Sequence, residues 1–241
     1  MSDRLILAVP SKGRLMDQTA DLFAKAGLRL RKVGSERGYR GEIEGLDGVD
    51  VAFVSVSETT QLLQAGRVHL GISGEDLIRE QIANVAERVS LLVPLGFGHA
   101  DVVVAVPACW IDVRRMADLE VAAMVFQREH ARRLRVATKY MNLTRRYFAR
   151  KGVTGYRIVE SLGATEGTPA AGAAELIVDI TTTGTTLRAN GLKVLDDGLI
   201  LKSQAHLVAS TLAPWTPSAM ASRDLIATKL AAAAQAQHLE G

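Results

Sequence analysis

The chain is poor in cysteine and has no long apolar run. Cys109 is its single cysteine, so no intramolecular disulfide can form, and the apolar residues beside it predict a packed, unreactive side chain. No segment reaches the roughly 18 consecutive apolar residues of a membrane-spanning helix. The first residues have the pattern of a short strand and not of a signal peptide. These features predict a cytoplasmic protein in a reducing compartment.

Several signatures of common enzyme classes are also missing. The five histidines are dispersed, without the spacing of metal ligands. Neither the phosphate-binding Gly-x-x-x-x-Gly-Lys-Ser/Thr loop nor the dinucleotide-binding Gly-x-Gly-x-x-Gly pattern occurs. The Gly-x-Ser-x-Gly motif of α/β-hydrolases is absent as well. The absences argue against a histidine metal centre, a P-loop nucleotidase, a common dinucleotide-binding domain and an α/β-hydrolase.

The net charge is only +3, but the basic residues are unevenly distributed. Between Arg128 and Arg157, ten basic residues stand against a single acidic one, Glu129. Such a segment is either a solvated helix face or a binding surface for an anion or a partner, and the sequence leaves both interpretations open. Few aromatic residues lie among the charges, so nucleic acid is the less favoured ligand.

Apolar segments with strand character alternate with segments of helical periodicity, which predicts an α/β architecture. The predicted strands are Leu5–Val9, Val49–Val56, Val68–Ile72, Val102–Val106, Val121–Phe126, Tyr156–Val159, Leu176–Ile180 and Leu199–Leu207. The predicted helices are Leu15–Ala26, Glu58–Ala65, a helix opening at Ser73–Asp76, Thr138–Lys151 and Ser218–Gln237. Loops of ligand-binding composition follow several strands, as in doubly wound parallel sheets, whose ligands lie at the carboxyl ends of the strands.

The strongest functional signal runs from Glu175 to Gly191. An apolar strand segment ends at Asp179, and a loop of five threonines around Gly184 follows at once. The hydroxyls and backbone N–H groups of such a loop can surround a phosphate, and the carboxylate can accept hydrogen bonds from a ribose diol. The segment therefore predicts a ribose 5-phosphate site, although threonine-rich turns also cap helices without any ligand.

Two other strand-to-helix turns carry weaker signals. Lys12-Gly13-Arg14 joins two cations to a glycine that lets the backbone approach a ligand, yet basic residues near a turn are commonly only solvated. The segment Gly71–Asp76 has the composition of a ligand-binding loop at a strand end. Its alternative interpretation is a helix N-cap formed by Ser73 or Asp76.

Together, these segments resemble the ATP phosphoribosyltransferase family in its short form. The similarity is carried by Leu7–Leu15, Leu70–Leu77, Val136–Gly152 and Ile177–Leu187, followed by Asn190-Gly191-Leu192. The segments occur in the family's order over most of the chain. The resemblance implies transfer of the 5-phosphoribosyl group of phosphoribosyl pyrophosphate (PRPP) to N1 of ATP, with release of pyrophosphate and with Mg²⁺ as cofactor. That reaction is the first step of histidine biosynthesis.

The resemblance also implies which residues form the site, with none acting as a classical acid or base. Asp179 and Glu175 would hold the ribose hydroxyls or the Mg²⁺ ion, which the substrates would mainly bind. The residues implied for PRPP are Asp179, Thr182, Thr183, Gly184, Thr185 and Thr186. Those implied for ATP and pyrophosphate are Lys12, Gly13, Arg14, Arg37, Gly74, Asp76 and Glu166.

The chain departs from the family pattern at several positions. Ser55 stands where the family usually has arginine, Glu58 where it has aspartate, and His69 where it has another aspartate. A family Gly-Ser-Val-Glu segment reads Gly163-Ala164-Thr165-Glu166, and residues 109–133 contain an insertion. These departures affect the predicted pyrophosphate contacts and leave the ribose-phosphate loop unchanged.

The fold implied is α/β: two lobes of mostly parallel sheet with flanking helices, resembling type II periplasmic binding proteins, with the ligand cleft between the lobes. Residues 1–103 with 207–241 would form the nucleotide and pyrophosphate lobe, and residues 104–206 the PRPP lobe. The implied partners are a regulatory subunit similar to histidyl-tRNA synthetase and further copies of the chain, but neither nucleic acid nor a membrane. Two alternatives stay open: a solute-binding protein of the same fold and a phosphoribosyltransferase with another acceptor.

Overall fold

A computed structural model describes residues 4–34 and 39–240. Its strands are β1 (Leu5–Pro10), β2 (Leu30–Lys32), β3 (Arg40–Ile43), β4 (Leu46–Val54), β5 (Leu70–Gly74), β6 (Val89–Pro94), β7 (Ala100–Pro107), β8 (Leu134–Thr138), β9 (Tyr156–Glu160), β10 (Leu176–Thr181), β11 (Leu192–Ser203) and β12 (Ala205–Ser210). Its α-helices are α1 (Arg14–Lys25), α2 (Val56–Gln64), α3 (Glu75–Gln81), α4 (Val85–Arg88), α5 (Met116–His130), α6 (Met141–Arg150), α7 (Thr185–Ala189) and α8 (Pro217–Glu240). A 3-10 turn covers Thr165–Gly167.

The chain divides into two compact units, residues 1–99 with 204–241 and residues 100–203. The predicted lobe boundaries, after residues 103 and 206, lie slightly later in the chain. The reason is that β7 belongs as a whole to the sheet of the second unit, and β12 as a whole to the sheet of the first.

The first unit contains a sheet with the strand order β2-β3-β4-β1-β5-β12-β6. Strand β1 pairs in parallel with β4 and β5, while the pairs towards both edges are antiparallel. Successive side chains of a strand point to opposite sides, and on β1 the side chains of both faces are packed in a core. Leu5, Leu7 and Val9 pack in one core cluster with residues of α1 and α8, and Ala8 packs in another with residues of α2 and α3.

The second unit contains a sheet with the strand order β11-β7-β10-β8-β9. Strand β10 lies at its centre, parallel to β8 and antiparallel to β7. Leu176, Ile177 and Val178 of β10 are fully buried. The chain therefore emerges from the middle of this sheet at Thr181, where the threonine-rich loop begins. Both sheets of the protein are mixed, in contrast to the mostly parallel sheets that were predicted.

The prediction of a strand at Val121–Phe126 is wrong, because this segment lies inside α5. The helix buries Met116, Leu119 and Ala123, while Val121 and Met124 are exposed on another face. Apolar residues on more than one face conceal the helical period and give the continuous apolar run that is typical of a buried strand.

The prediction of a single strand at Leu199–Leu207 is also wrong. β11 ends at Ser203 and β12 begins at Ala205, and the two strands belong to different sheets. Gln204 lies between them, and its backbone carbonyl accepts a hydrogen bond from the N–H of Glu75 at 3.1 Å. An apolar pattern marks residues that are buried but does not specify the sheet in which they pair, so the two strands were merged.

The remaining differences concern short strands and the single cysteine. The charge-rich strands β2 and β3, strands β6 and β8, and the short helix α4 were not predicted. Cys109 is exposed, so the prediction of a packed side chain is wrong. Among the described helices, none combines the length and the hydropathy needed to span a membrane.

Candidate functional site

The loop after β10 is organised by its own hydroxyls. Thr181 Oγ1 accepts a hydrogen bond from the Gly184 N–H at 2.8 Å, which folds the loop back on the strand end. Gly184 has a φ of 71°, a left-handed conformation that glycine adopts without the steric cost of a Cβ atom. The Thr183 and Thr185 hydroxyls lie 2.9 Å apart, and Arg188 Nη2 donates to Thr185 Oγ1 at 3.2 Å. The loop thus combines exposed hydroxyls with a guanidinium, the groups that bind a phosphate.

Asp179 lies in β10, two residues before the strand ends at Thr181, and is half-buried. Its Oδ1 accepts a hydrogen bond from the Ile180 N–H at 2.8 Å. Burial raises the pKa of the Asp179 carboxyl above its usual range, whereas the Ile180 N–H and the Lys139 ammonium oppose the rise. The negative charge of Glu166 raises this pKa further.

Lys139 reaches Asp179 because of the strand register. β8 and β10 are parallel, with Val136 beside Leu176 and Ala137 beside Ile177. This pairing brings the end of β8 beside β10, and Lys139, which directly follows β8, lies close enough to Asp179 for its ammonium to act on the carboxyl. Lys139 was not among the predicted site residues, because the strand that it follows, β8, was not predicted either.

Glu166 lies on the 3-10 turn of the second unit, and the structure brings it close enough to act electrostatically on Asp179. Ala164, which precedes the turn, has a positive φ of 48°, uncommon for a residue with a side chain. The Thr165 hydroxyl donates to Ser161 Oγ at 3.0 Å and holds the start of the turn. Glu166 was predicted to bind ATP or pyrophosphate, and the structure places it near Asp179.

Glu175 does not join this group, so its predicted role in ribose or Mg²⁺ binding needs correction. It precedes β10, four residues before Asp179, which corresponds to about 13 Å along an extended strand. Its carboxylate accepts hydrogen bonds from Arg135 Nη2 at 2.6 Å, from the Arg135 N–H at 2.7 Å and from Arg132 Nη2 at 3.0 Å. Burial opposes ionisation, but these donors hold the pKa of Glu175 at about 2. Glu175 is therefore part of an ion pair at the opposite end of the strand.

The first strand-to-helix turn has the predicted form. Lys12, Gly13 and Arg14 are all exposed. Gly13 has a φ of 76° and caps α1 through its backbone carbonyl, which accepts hydrogen bonds from the N–H groups of Met16 and Asp17. A Cβ atom at Gly13 would meet nothing within 4 Å, so the space beside the turn is open to a ligand. Arg37 lies outside the described residues.

At the end of β5, the alternative of a side-chain N-cap is not observed. Gly74 is the N-cap of α3 and offers no side-chain hydrogen bond, while Ser73 is buried 3.3 Å from the Thr60 hydroxyl. Asp76 is buried in the first turn of α3. Gly71 is required for packing, because a Cβ atom there would lie 2.6 Å from the Thr59 methyl group.

Two of the departures from the family pattern have structural roles. Ser55 is the N-cap of α2, and its hydroxyl accepts a hydrogen bond from the Glu58 N–H at 3.2 Å. His69 is buried, and its Nδ1 accepts from the Ile6 N–H at 3.1 Å. Its Nε2 lies 3.2 Å from the Pro214 carbonyl oxygen, so the ring is the neutral tautomer that donates from Nε2. His69 therefore joins β1 to the segment before α8.

The basic residues of segment 128–157 have different contacts. Arg132 and Arg135 hold Glu175, and Lys151 Nζ pairs with Asp197 at 2.9 Å. Lys139 acts on Asp179. Part of the basic excess is thus structural, and part of it lies at the candidate site.

A family model described as "HisG: ATP phosphoribosyltransferase" matches residues 56–231. The chain is 60% identical over 236 residues to an ATP phosphoribosyltransferase of Bradyrhizobium diazoefficiens and 59% identical to one of Afipia carboxidovorans. In each comparison the alignment covers 98% of this chain and 73% of the relative.

Solved structures agree with these relatives. An ATP phosphoribosyl transferase (HisG:HisZ) complex from Thermotoga maritima superposes with a TM-score of 0.68 at 26% identity, over 97% of this chain and 98% of that chain. A mutant of ArgBP from the same organism superposes with a TM-score of 0.53 at 13% identity, over 99% and 91% of the two chains. The latter similarity concerns the fold alone and confirms the predicted likeness to periplasmic binding proteins.

Proposed function

The chain belongs to the ATP phosphoribosyltransferase family, and we propose that the hydroxyl loop after β10, with Asp179 beside it, is its PRPP-binding site. The enzyme transfers the 5-phosphoribosyl group of PRPP to N1 of ATP and releases pyrophosphate, giving N1-(5-phosphoribosyl)-ATP in the first step of histidine biosynthesis. Family membership sets aside both alternatives, a solute-binding protein and a transferase with another acceptor.

The reaction places specific demands on a site. N1 of adenine displaces pyrophosphate at C1 of the ribose, so positive charge develops on the sugar and negative charge on the leaving group. The protein has to align two polyanions and needs no nucleophile of its own. A carboxylate beside the ribose and a hydroxyl loop around the 5-phosphate meet the demands of the PRPP half.

Asp179 is the residue whose environment best supports the proposal. Its ionised carboxylate would accept hydrogen bonds from the ribose 2- and 3-hydroxyls, and Lys139 favours the ionised form. Thr182, Thr183, Gly184, Thr185 and Thr186 would surround the 5-phosphate, and we add Arg188, whose guanidinium already reaches the Thr185 hydroxyl. Glu175 is left out, because two arginines occupy its carboxylate.

Mg²⁺ fits this residue set as an ion that the substrates share with the protein. In the described part of the chain, no group of three or more histidine, cysteine, aspartate or glutamate side chains could hold a metal ion. Mg²⁺ is commonly bound by one or two carboxylates together with substrate phosphates. Asp179 and Glu166, whose carboxylates interact, are the proposed protein contribution. A bound ion would neutralise charge on the departing pyrophosphate.

The roles of Lys12, Gly13, Arg14, Gly74 and Asp76 in binding ATP and pyrophosphate are supported by the family resemblance and, for the first turn, by its exposure. A regulatory subunit similar to histidyl-tRNA synthetase is proposed as partner, since the similar Thermotoga maritima structure is a complex of two kinds of subunit. A cytoplasmic location accords with a biosynthetic enzyme family.

The decisive experiment replaces Asp179 by asparagine, which keeps the shape of the side chain and removes its charge. We expect kcat/KM for PRPP to fall at least about 100-fold, because the ribose is no longer positioned. An absorbance assay that depends on both PRPP and ATP measures the product, with the regulatory subunit supplied. Asp196→Asn is the control, since Asp196 is an exposed carboxylate of the same unit. Equal kinetics for Asp179→Asn and the control would refute the assignment.

A further inference from the structure

Strands β2 and β3, which were not predicted, bring two cations to the carboxyl end of β4. β2 is antiparallel to β3, and β3 to β4, so β2 runs in the same direction as β4. Lys32 is the last residue of β2, and Arg40, the first of β3, is level with Ala52 of β4. β1 ends beside β4, where the Ser11 N–H donates to the Val54 carbonyl at 2.9 Å. The two cations thus lie at the same end of the sheet as the first strand-to-helix turn.

The Lys32 ammonium is held in place by an aromatic ring. Its Nζ lies 5.2 Å from the centroid of the Phe53 ring, which is buried and attracts the cation. The ring occupies the space beside Gly41, the residue level with Lys32, because a Cβ atom at Gly41 would lie 2.5 Å from Phe53 Cε2. Phe53 is itself level with Val9, one residue before β1 ends. The ammonium is therefore positioned near the strand end from which the first turn begins.

Arg40 reaches the same end of the sheet from the opposite face. Successive side chains of a strand point to opposite sides, and Gly41 faces the Phe53 ring. Arg40 therefore faces the other side, where Ala52, which is level with it, packs beside residues of α2. Two cations that approach from different faces can hold an elongated anion at several of its oxygens.

Cations elsewhere in this sheet have acidic partners. Arg4, which precedes β1, pairs with Asp50 at 2.8 Å, and Arg31 of β2 pairs with Glu42. Within residues 4–34 and 39–240, four exposed cations at the end of the sheet described above form no ion pair with a carboxylate: Lys12, Arg14, Lys32 and Arg40. Cations gathered in this way repel one another, and a bound polyanion would remove the repulsion.

We propose that Lys32 and Arg40 join Lys12 and Arg14 in one site for a polyphosphate chain, an assignment that rests on the role proposed above for the first turn. The chain would be the triphosphate of ATP or the pyrophosphate group of PRPP. Each arginine can bind phosphate oxygens through two parallel hydrogen bonds, and each lysine adds a compact charge. The open space beside Gly13 admits the ligand.

Calorimetry of the full chain with inorganic pyrophosphate tests the site directly. We expect Lys32→Gln and Arg40→Gln each to weaken pyrophosphate binding at least about 10-fold, because each removes a charged hydrogen-bond donor. The dissociation constant should also depend less steeply on salt in each variant, which a loss of stability alone would not cause. Arg31→Gln is the matched control, since Arg31 precedes Lys32 on β2 and is paired with Glu42. An affinity equal to that of the control in either variant would overturn the proposal.

Steady-state kinetics, with the regulatory subunit supplied, identify the polyphosphate that uses the site. A higher KM for ATP in Lys32→Gln and Arg40→Gln assigns the site to the triphosphate, and a higher KM for PRPP assigns it to the pyrophosphate group. Unchanged values of both would contradict the proposal.

Lys12→Gln separates this proposal from the one on which it rests. Wild-type pyrophosphate affinity in Lys12→Gln would refute the role of the first turn. Weaker binding in Lys12→Gln, with control-like affinity in the variants of Lys32 and Arg40, would keep the turn and refute only the added residues. Pyrophosphate binding does not depend on Asp179 positioning a ribose, so the assignment of the hydroxyl loop to PRPP stands or falls separately.

Discussion

Glu175→Gln separates a structural role of this carboxylate from the substrate-binding role that the sequence predicts. In the structure, Glu175 is shielded from solvent and accepts hydrogen bonds from Arg132 and Arg135. Glutamine keeps the volume of the side chain but removes the charge that the two guanidinium groups balance. The variant should therefore lose stability in the second unit while its affinity for PRPP remains that of the wild type.

The loss in the free energy of unfolding can be estimated in two ways that agree. The pKa of Glu175 falls from its ordinary 4.5 to about 2, and at about 1.4 kcal/mol for each pKa unit this corresponds to roughly 3 kcal/mol. Removing one partner of a buried ion pair typically costs about 3–5 kcal/mol, because the other charge is left uncompensated. Since Arg132 is partly exposed, we expect the lower figure, about 3 kcal/mol at neutral pH.

The stability that the ionised Glu175 contributes should depend on pH. A carboxyl whose pKa is depressed on folding stabilises the folded state fully above its unfolded pKa, and this stabilisation is lost as the pH falls through the folded value. For Glu175 the window runs from 4.5 down to about 2. The difference in the free energy of unfolding between wild type and Glu175→Gln should be constant from pH 7 to about 5 and shrink below that.

Denaturant unfolding at pH 7 and pH 4, with hydrogen exchange of the peptides around β8 and β10, would measure this effect. Glu42→Gln is the control, because the Glu42–Arg31 pair is largely exposed and should contribute at most about 1 kcal/mol. A loss for Glu175→Gln no larger than that of the control, or a rise in KM for PRPP without a loss of stability, would refute the reasoning.

Two further substitutions test the candidate site. Gly184→Val should weaken PRPP binding at least about 10-fold by calorimetry while the fold is retained, because the φ of 71° disfavours a β-branched residue and the new Cβ would lie 2.9 Å from Arg188 Nη1; unchanged affinity would remove the loop from the site. Lys139→Met should move the acid limb of the kcat/KM profile for PRPP to higher pH, since the pKa of Asp179 rises further without the ammonium. Lys139→Arg should restore the limb, and a limb that does not move would contradict the assigned coupling.

The residues of the hydroxyl loop after β10, which we propose binds PRPP, could be grouped in advance because their chemistry is local. The hydroxyls, the glycine and the preceding carboxylate lie within eight consecutive residues, and their hydrogen bonds join neighbours such as Thr181 and Gly184. The form of the first turn, Lys12-Gly13-Arg14, could be predicted for the same reason, because Gly13 caps the helix that directly follows it.

The role of Glu175 could not be predicted from local sequence. It is only four residues from Asp179, and proximity in sequence suggested a shared ligand. An extended strand rises by about 3.3 Å per residue, so the two carboxylates lie towards opposite ends of the same strand. Its partner Arg135 is 40 residues away in the chain, which no local pattern reveals.

The order of residues was sufficient to predict the α/β class, the family and the local chemistry of the hydroxyl loop after β10, because short-range hydrogen bonding, turn geometry and hydrophobic pattern act between near neighbours. Which charged side chains lie close together depends on the folded chain. In the fold, Lys139, Glu166 and Asp179 come together from three segments. Strands β11 and β12 pair in different sheets, and the apolar run at Val121 forms part of a helix with an exposed face. These outcomes depend on strand register and on contacts between distant segments, whose energies the order of residues along the chain does not display.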